Sequence, residues 1–412
     1  MSMIKQWGGV LGLAVICGCG PSEKTPEETR MPSPPVAQPA FTPESLREHM
    51  ARIEATILAG DGGYLDSLIA ADVILSKVYV GAERSPDLVR TFEERAPRHL
   101  RVGSQVVEAV KGQGIFRLVK VYEAPDGWHA IFRLVTESGI LNYHDYTIRA
   151  VRGPDGVRPV IEDVYVYSAG ETLTRSMQRM YIAMYVGMER ERVSNFEGVD
   201  AVYASQLMQL QTIALMVKDG HYEKALKLHL RAPDLLQAEK YMLKQRLLIA
   251  RHVGRDAYMA ALEAARQTFP DDPAWILMEL LRFKAEGDHG ALFKEAEAMK
   301  KSVGDDPYLG YLQGAALIAQ GKEKAAIEML VQALQKDPLL KPAYWTLLEV
   351  HVKRQEYEQA VALLRTVRQQ FGVLVTNLKD KEGYQDFLVS EPYQLWLKEI
   401  AGSTSGAGSA PQ

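Results

Sequence analysis

The side chains best suited to covalent or metal chemistry are scarce and badly spaced for it. The chain has 412 residues and two cysteines, Cys17 and Cys19. From residue 20 onward there is none, which excludes a disulfide framework, a thiolate zinc site and a catalytic thiol there. Of nine histidines, His221, His229, His252, His289 and His351 fall in separate helical segments without ligand spacing. No metal and no cofactor is expected. The phosphate loop is missing, because Gly321-Lys322 lacks the earlier glycine. His-Glu-x2-His, Gly-x-Ser-x-Gly and a dinucleotide fingerprint are missing too. One cluster remains. Asn142-Tyr143-His144-Asp145-Tyr146 lies in a strand-like segment, with His129 and Asp163 in neighbouring ones. Alternation places Tyr143 and Asp145 on one face, His144 and Tyr146 on the other. Tyr143, Asp145 and Asp163 could share an apolar cavity and move a proton there. Equally, the tyrosines could pack while His144 and Asp145 face water or pair locally.

The elements that would hold this cluster span residues 44–170. Ser45 with Glu48 has capping-box spacing, and Leu46, Met50, Ile53 and Ile57 recur at helical spacing. A second short helix is expected at Tyr64–Ala70 and another at Pro86–Arg95. Val73–Val80 is apolar and β-branched and is expected to be extended. Strands are expected at Gln105–Val110, Ile115–Glu123, Trp128–Thr136, Leu141–Val151 and Val160–Ser168. Pro125-Asp126-Gly127, Ser138-Gly139 and Gly153-Pro154-Asp155-Gly156 supply turns between them. The expected domain is α+β, helices on a curved antiparallel sheet. Its element order and closing strand, Pro159-Val160-Ile161-Glu162-Asp163-Val164-Tyr165, resemble the nuclear transport factor 2-like cone fold. That fold includes ketosteroid-isomerase-type and SnoaL-like proteins. The resemblance implies a pocket inside the cone, where an Asp base works with a Tyr donor; many such proteins are not catalysts.

Before this domain lie an address and a tether. Lys5 precedes an apolar run from Val10 to Ile16, too short for a membrane span of about 20 residues but of secretory length. The run ends Ile16-Cys17-Gly18-Cys19. This resembles the bacterial lipobox, which makes residues 1–19 a lipoprotein signal peptide with its lipobox and implies lipidation of Cys19, as the first mature residue, and loss of Cys17 with the residues before it. Acyl chains contribute about 0.8 kcal/mol per buried CH2, enough for stable anchoring when several are present. Residues 20–43 hold seven of the chain's 20 prolines and read as a polar, disordered tether. Gly20, not Asp, follows Cys19. By the enteric rule this implies the outer membrane, facing the periplasm.

Residue 171 begins an all-α region. A connecting helix is expected over 171–200, its Met177, Met180, Met184 and Met188 forming a core stripe. Pro273, Pro307 and Pro342 then mark helix starts at a spacing of about 34 residues, a repeat signature. After Pro307 come Gln313-Gly314, the turn glycine Gly321, Ala326, Ala333 and Pro338. The next unit offers Tyr344, Leu347, Tyr357, Ala360 and Leu364. Lys218-Asp219-Gly220-His221-Tyr222 matches the turn of an earlier unit, and a weaker one begins near Glu239. The pattern resembles the tetratricopeptide repeat, with two departures: Gln313 stands where Leu is usual and Gly310 where an aromatic is. It implies about four hairpins between 201 and 372, in a repeat domain of 201–400 that ends in a cap over Tyr384–Ile400, and a disordered tail at 401–412. It also implies a partner groove lined by Tyr308, Tyr311, Ile318, Trp345, Glu349 and Lys353, with the alternative that Tyr311 and Trp345 simply pack between repeats. The three asparagines, Asn142, Asn195 and Asn377, lie outside the repeats, so a carboxylate clamp is not expected.

Composition agrees. The chain is 47% hydrophobic and 24% charged with net charge −4, which offers nucleic acid no basic surface. The expectation is a multidomain chain, an α+β domain followed by an all-α helical-hairpin solenoid. Its expected role is that of a lipid-anchored envelope scaffold that binds other envelope proteins and is not an enzyme. The alternative is ligand binding or proton transfer in residues 44–170, with the repeats accessory.

Overall fold

The computed structural model describes residues 41–79, 86–153, 156–188, 196–373, 375, 378–379, 381 and onward to 405. Cys17, Cys19, the expected tether up to residue 40 and the tail's last residues lie outside them; against expectation, Phe41 of the tether is buried in the core, Thr42 and Pro43 open a helix, and 401–405 of the tail are helical. The chain divides into two compact units, Met1–Leu277 and Met278–Gln412.

The first unit opens with six helices: α1 (Pro43–Leu58), α2 (Gly63–Leu68), α3 (Ala71–Val78), α4 (Pro86–Arg95), α5 (Pro97–Leu100) and α6 (Val102–Val110). Thr42 caps α1 and exchanges hydrogen bonds with Ser45, so the helix starts before the expected Ser45–Glu48 box. Pro43 sets this, because its fixed φ suits the first helical position. Two segments correct the expectations. Within the expected strand Val73–Val80, the described residues through Val78 are helical, not extended: Ile74 and Val78, four apart, bury one face of α3. Gln105–Val110 is not a strand: Val102, Val106 and Val110 line the buried face of α6. In both, spacing outweighs the weak β preference of branched side chains.

A five-stranded antiparallel meander follows, β1 (Ile115–Ala124), β2 (Gly127–Val135), β3 (Leu141–Gly153), β4 (Gly156–Val166) and β5 (Glu171–Thr172), in the order β1-β2-β3-β4-β5. One face carries Phe116, Ala130, Phe132, Tyr146, Ile148 and Val164, packed with Leu46, Met50 and Ile53 of α1 and Val106 of α6. Phe116 stacks on Phe132 at 4.7 Å between ring centres, and Tyr146 meets Phe132 edge-on at 5.4 Å.

Helix α6 is placed by backbone contact. An added Cβ on Gly103 would lie 2.1 Å from the Gly62 carbonyl oxygen, and one on Gly62 would lie 2.3 Å from the Gly103 carbonyl carbon. Only two glycines permit this crossing. Asp66 fastens it, accepting from the Gly103 amide (2.6 Å) and the Ser104 hydroxyl (2.7 Å).

The rest of the chain is helical: α7 (Leu173–Met188), α8 (Gly198–Lys218), α9 (Tyr222–His229), α10 (Asp234–Gln237), α11 (Lys240–Val253), α12 (Arg255–Thr268), α13 (Pro273–Glu286), α14 (His289–Val303), α15 (Pro307–Ala319), α16 (Glu323–Lys336), α17 (Lys341–Lys353), α18 (Tyr357–Phe371), α19 (Gln385–Val389) and α20 (Glu391–Ser405). The molecule is thus multidomain, an α+β part followed by an all-α part. Met177 is buried with Tyr181 and Tyr185, and Met180, Met184 and Met188 pack against the same core.

Five helix pairs succeed one another along residues 198–371, α8/α9, α11/α12, α13/α14, α15/α16 and α17/α18, of which all but α13/α14 pack closely. Gly220, Gly287 and Gly321 turn three of the pairs with φ between 72° and 78°. Ala225, Ala265, Ala326, Ala333 and Ala360 are buried, as small residues must be where paired helices approach closely. α19 and α20 bury Phe387, Tyr393 and Trp396 against Leu348, Val352 and Leu364 of the last pair. Among the described residues no helix is long and apolar enough to cross a membrane.

Candidate functional site

Two places can be built from residues upward: the second face of the sheet and the repeat surface. The hairpin β1–β2 pairs Ala124 with Gly127, and hence Tyr122 with His129; β2–β3 pairs Ile131 with Asp145. This register puts Tyr122, His129, Asp145 and Tyr143 on the face opposite Phe132 and Tyr146. The Tyr122 hydroxyl donates to Asp145 Oδ2 (2.6 Å), and His129 Nδ1 lies 3.0 Å from Asp145 Oδ1. His129 Nε2 lies 3.1 Å from Asp126 Oδ1 in the turn, so one imidazole bridges two carboxylates. Burial opposes charge on His129, yet Asp145 and then Asp126 hold its pKa above the ordinary value. Burial first, then the Asp145 hydrogen bond, push the Tyr122 phenol well above its usual range.

The three residues expected to converge do so only in part. Tyr143 and Asp145 are both buried. Tyr143 packs on Tyr167 at 5.6 Å, and Asp145 joins the Tyr122–His129 chain. Asp163 accepts from the Thr174 amide (3.0 Å) and the Val164 amide (2.9 Å), so it caps the start of α7. Neither His144 nor Asp145 faces water. His144 sits between Asn142 and Tyr146 on the apolar face, where burial lowers its pKa to about 4. Sequence reasoning missed Tyr122 and Asp126. Counting outward from the Pro125-Asp126-Gly127 turn would have set Tyr122 opposite His129.

The second face is covered at the β4 end by helices of the same unit. The Tyr165 hydroxyl donates to Asp272 Oδ1 (2.7 Å), and Asp272 also accepts from the Ala274 amide and pairs with Lys240. The Lys240 ammonium lies 5.0 Å from the ring centres of both Tyr165 and Phe269.

The expected groove residues are largely committed to the repeats themselves. Tyr308 is 3% exposed, and its ring packs 5.4 Å from that of Tyr311. The Tyr311 hydroxyl lies beside Thr346 of α17. Trp345 packs on the C-terminal core, and Lys353 donates to Glu323 of α16 (2.8 Å). Ile318 is half-buried and Glu349 exposed. The departure at Gln313 has a clear cause. It is 1% exposed, accepts from Lys300 Nζ (2.6 Å), and donates to the Phe293 carbonyl (3.3 Å) and to Glu297 (3.1 Å). A polar clasp between α14 and α15 replaces the apolar contact a leucine would make. The other departure, Gly310, leaves room: an added Cβ would meet Ala333 at an ordinary 3.6 Å.

A tetratricopeptide repeat family model matches residues 317–373, from the end of α15 through α18. No match is found among curated proteins. The chain therefore carries repeats of a kind that serves protein–protein contact. Among the described residues no group of three or more His, Cys, Asp or Glu side chains could hold a metal ion.

Proposed function

We propose that this protein is a lipid-anchored scaffold of the bacterial cell envelope whose helical repeats hold other envelope proteins. The observation that carries the reading is the repeat. The family match over 317–373 coincides with helix pairs turned by Gly321 and closed by buried alanines at Ala326, Ala333 and Ala360. Cys19 with the Pro-rich stretch behind it supports the anchor, and the outer membrane, periplasmic side, is the proposed location. The proposed contact surface centres on Ile318, half-buried on α15, and Glu349, exposed on α17, two of the expected groove positions. The test is photo-crosslinking of the full chain in cells, with the crosslinker at Ile318, at Glu349 or at the exposed Lys111 of the other unit. A partner captured from the repeat positions and not from Lys111 is expected. Identical patterns from all three would sink the reading. Palmitate labelling of the wild type, absent from Cys19→Ala, is expected for the anchor.

One observation favours a second reading. The Tyr122–Asp145–His129–Asp126 chain is a connected set of proton donors and acceptors, placed in the domain that resembles a cone fold. In that reading residues 44–170 bind a small ligand or transfer a proton, with Asp145 and His129 at the centre. Asp145→Asn in the full chain would abolish such binding. A ligand screen by thermal shift with no compound distinguishing wild type from variant would end it.

A further inference from the structure

His229 closes α9, and its side chain is buried at 1% exposure. Neither Nδ1 nor Nε2 is in hydrogen-bond geometry with a partner. Its polar neighbours are the Met242 backbone and the Arg246 guanidinium, both on α11. α8 contributes Leu207, Leu210 and Ile213 to the surrounding core, with Tyr203 as the titratable group there. Burial keeps that phenol above its usual range and neutral. Arg246 is the charged group acting on His229, and it has the wrong sign to accept a proton's charge. The approach to the Met242 backbone favours a charged ring but falls short of hydrogen-bond geometry, and a buried polar group so poorly partnered is uncommon in a native core and needs an explanation.

We infer that His229 is an acid trigger: protonation places a cation beside Arg246 in an apolar site, and α9 responds by parting from α11. The inference is independent of the proposed scaffold role. Burial lowers the imidazole to about 4, against 6.5 for the free group. The unfolded or opened form therefore binds the proton first. Stability of the closed form is complete above about pH 6.5 and lost as pH falls toward 4. A helix C-terminus ordinarily welcomes His+, but only where water or a carboxylate shares the charge.

The test is hydrogen–deuterium exchange on the full chain at pH 7.5 and pH 5.0, with times scaled for intrinsic rate. Wild-type peptides over Tyr222–His229 and Lys240–Val253 are expected to lose about 25-fold in protection, the effect of roughly 1.4 linked pKa units between these two pH values. Peptides over Pro307–Phe371 are expected to hold. His229→Leu, or His229→Gln if the first variant does not fold, is expected to keep its protection at pH 5.0. His144→Phe is expected to leave the loss in α9 and α11 intact. No loss in the wild type, or equal loss in the His229 variant, overturns the inference. If neither variant folds, NMR titration of the wild-type His229 ring decides. A midpoint near 6.5 without shifts in the α9 and α11 amides overturns the inference; one below 5 coupled to them supports it.

Discussion

The two units are held together at different ranges along the chain. In the first, the pins are distant in sequence: Asp66 to Gly103 spans 37 residues, Glu54 to Leu118 spans 64 and Tyr165 to Asp272 spans 107. In the second, they link neighbours: Gln313 reaches back 13 to 20 residues, and Tyr344 reaches Gln370 over 26. Repeat arrays gain stability from nearest neighbours, so damage there stays local. A sheet domain tied by distant contacts must close its long loops before any pin forms. The same contrast holds for close approach. In the first unit, backbone meets backbone at Gly62 and Gly103; in the second, Gly314 meets the Leu330 side chain, an added Cβ lying 2.7 Å from Leu330 Cγ.

That contrast can be broken by substitution. Gly103→Val is expected to have the largest effect, about 4 kcal/mol or more, because no side chain can yield to the new Cβ. Urea unfolding should show the sheet unit lost while the repeats persist; a shift below about 1 kcal/mol would mean that the crossing relaxes. Acid comes next. His144 titrates near 4 in the folded sheet and near 6.5 in the unfolded chain. Lowering the pH from 7 to 5 should therefore cost the sheet unit about 2 kcal/mol at this one site. His129 works in the opposite sense, because its raised pKa stabilises the folded form at low pH and loses that contribution as pH rises. A His144→Phe chain whose unfolding remained equally steep in pH would remove His144 from the account. In the second unit His351 Nδ1 lies 2.6 Å from a Glu356 carboxylate oxygen. The helix pairs over Pro307–Phe371 should keep their unfolding midpoint over this range.

Gly314→Ala is expected to cost about 1 to 2 kcal/mol, since Leu330 can turn aside. Gly310→Ala, four residues earlier, should be neutral or stabilising by up to about 1 kcal/mol, because it meets only Ala333 and improves helix propensity. Thermal unfolding that ranks the two variants the other way would refute the packing described for α15 and α16. The smallest effect is expected at Gln355. It holds φ 59° at the α17–α18 turn, where earlier turns use glycine. Gln355→Gly should stabilise by about 1 kcal/mol by removing the left-handed strain. No change in midpoint would show that contacts of the Gln355 side chain offset that strain.

Much of the repeat unit is visible along the chain, because each of its signals acts over a few residues. Pro307 starts a helix, Gly321 turns it, and Ala326 and Ala333 let its partner approach. The strands of the meander are equally visible, through alternation and Pro-Asp-Gly or Ser-Gly turns. Helices α3 and α6 are not. Their branched residues favour strand locally, and only the packing of Ile74 and Val106 into the core selects helix. The site residues divide the same way. Alternation along β3 separates Asp145 from His144, but nothing local says that both faces of the sheet are covered. That cover comes from helices about a hundred residues further on. Nor does any repeat position say that Tyr311 is engaged with Thr346 or Lys353 with Glu323.

The sequence by itself determined the class of fold, the period of the repeats, the strand alternation and the poverty of catalytic motifs, because each depends on spacing within one element. The tertiary structure alone decided which polar groups meet. Tyr122, His129 and Asp126 join Asp145, Asp163 leaves to cap α7, and His144 and His229 lose water without gaining a charge partner. Spacing sets the face on which a side chain lies. What opposes that face depends on chain closure over tens to a hundred residues, a long-range property to which no local pattern is sensitive.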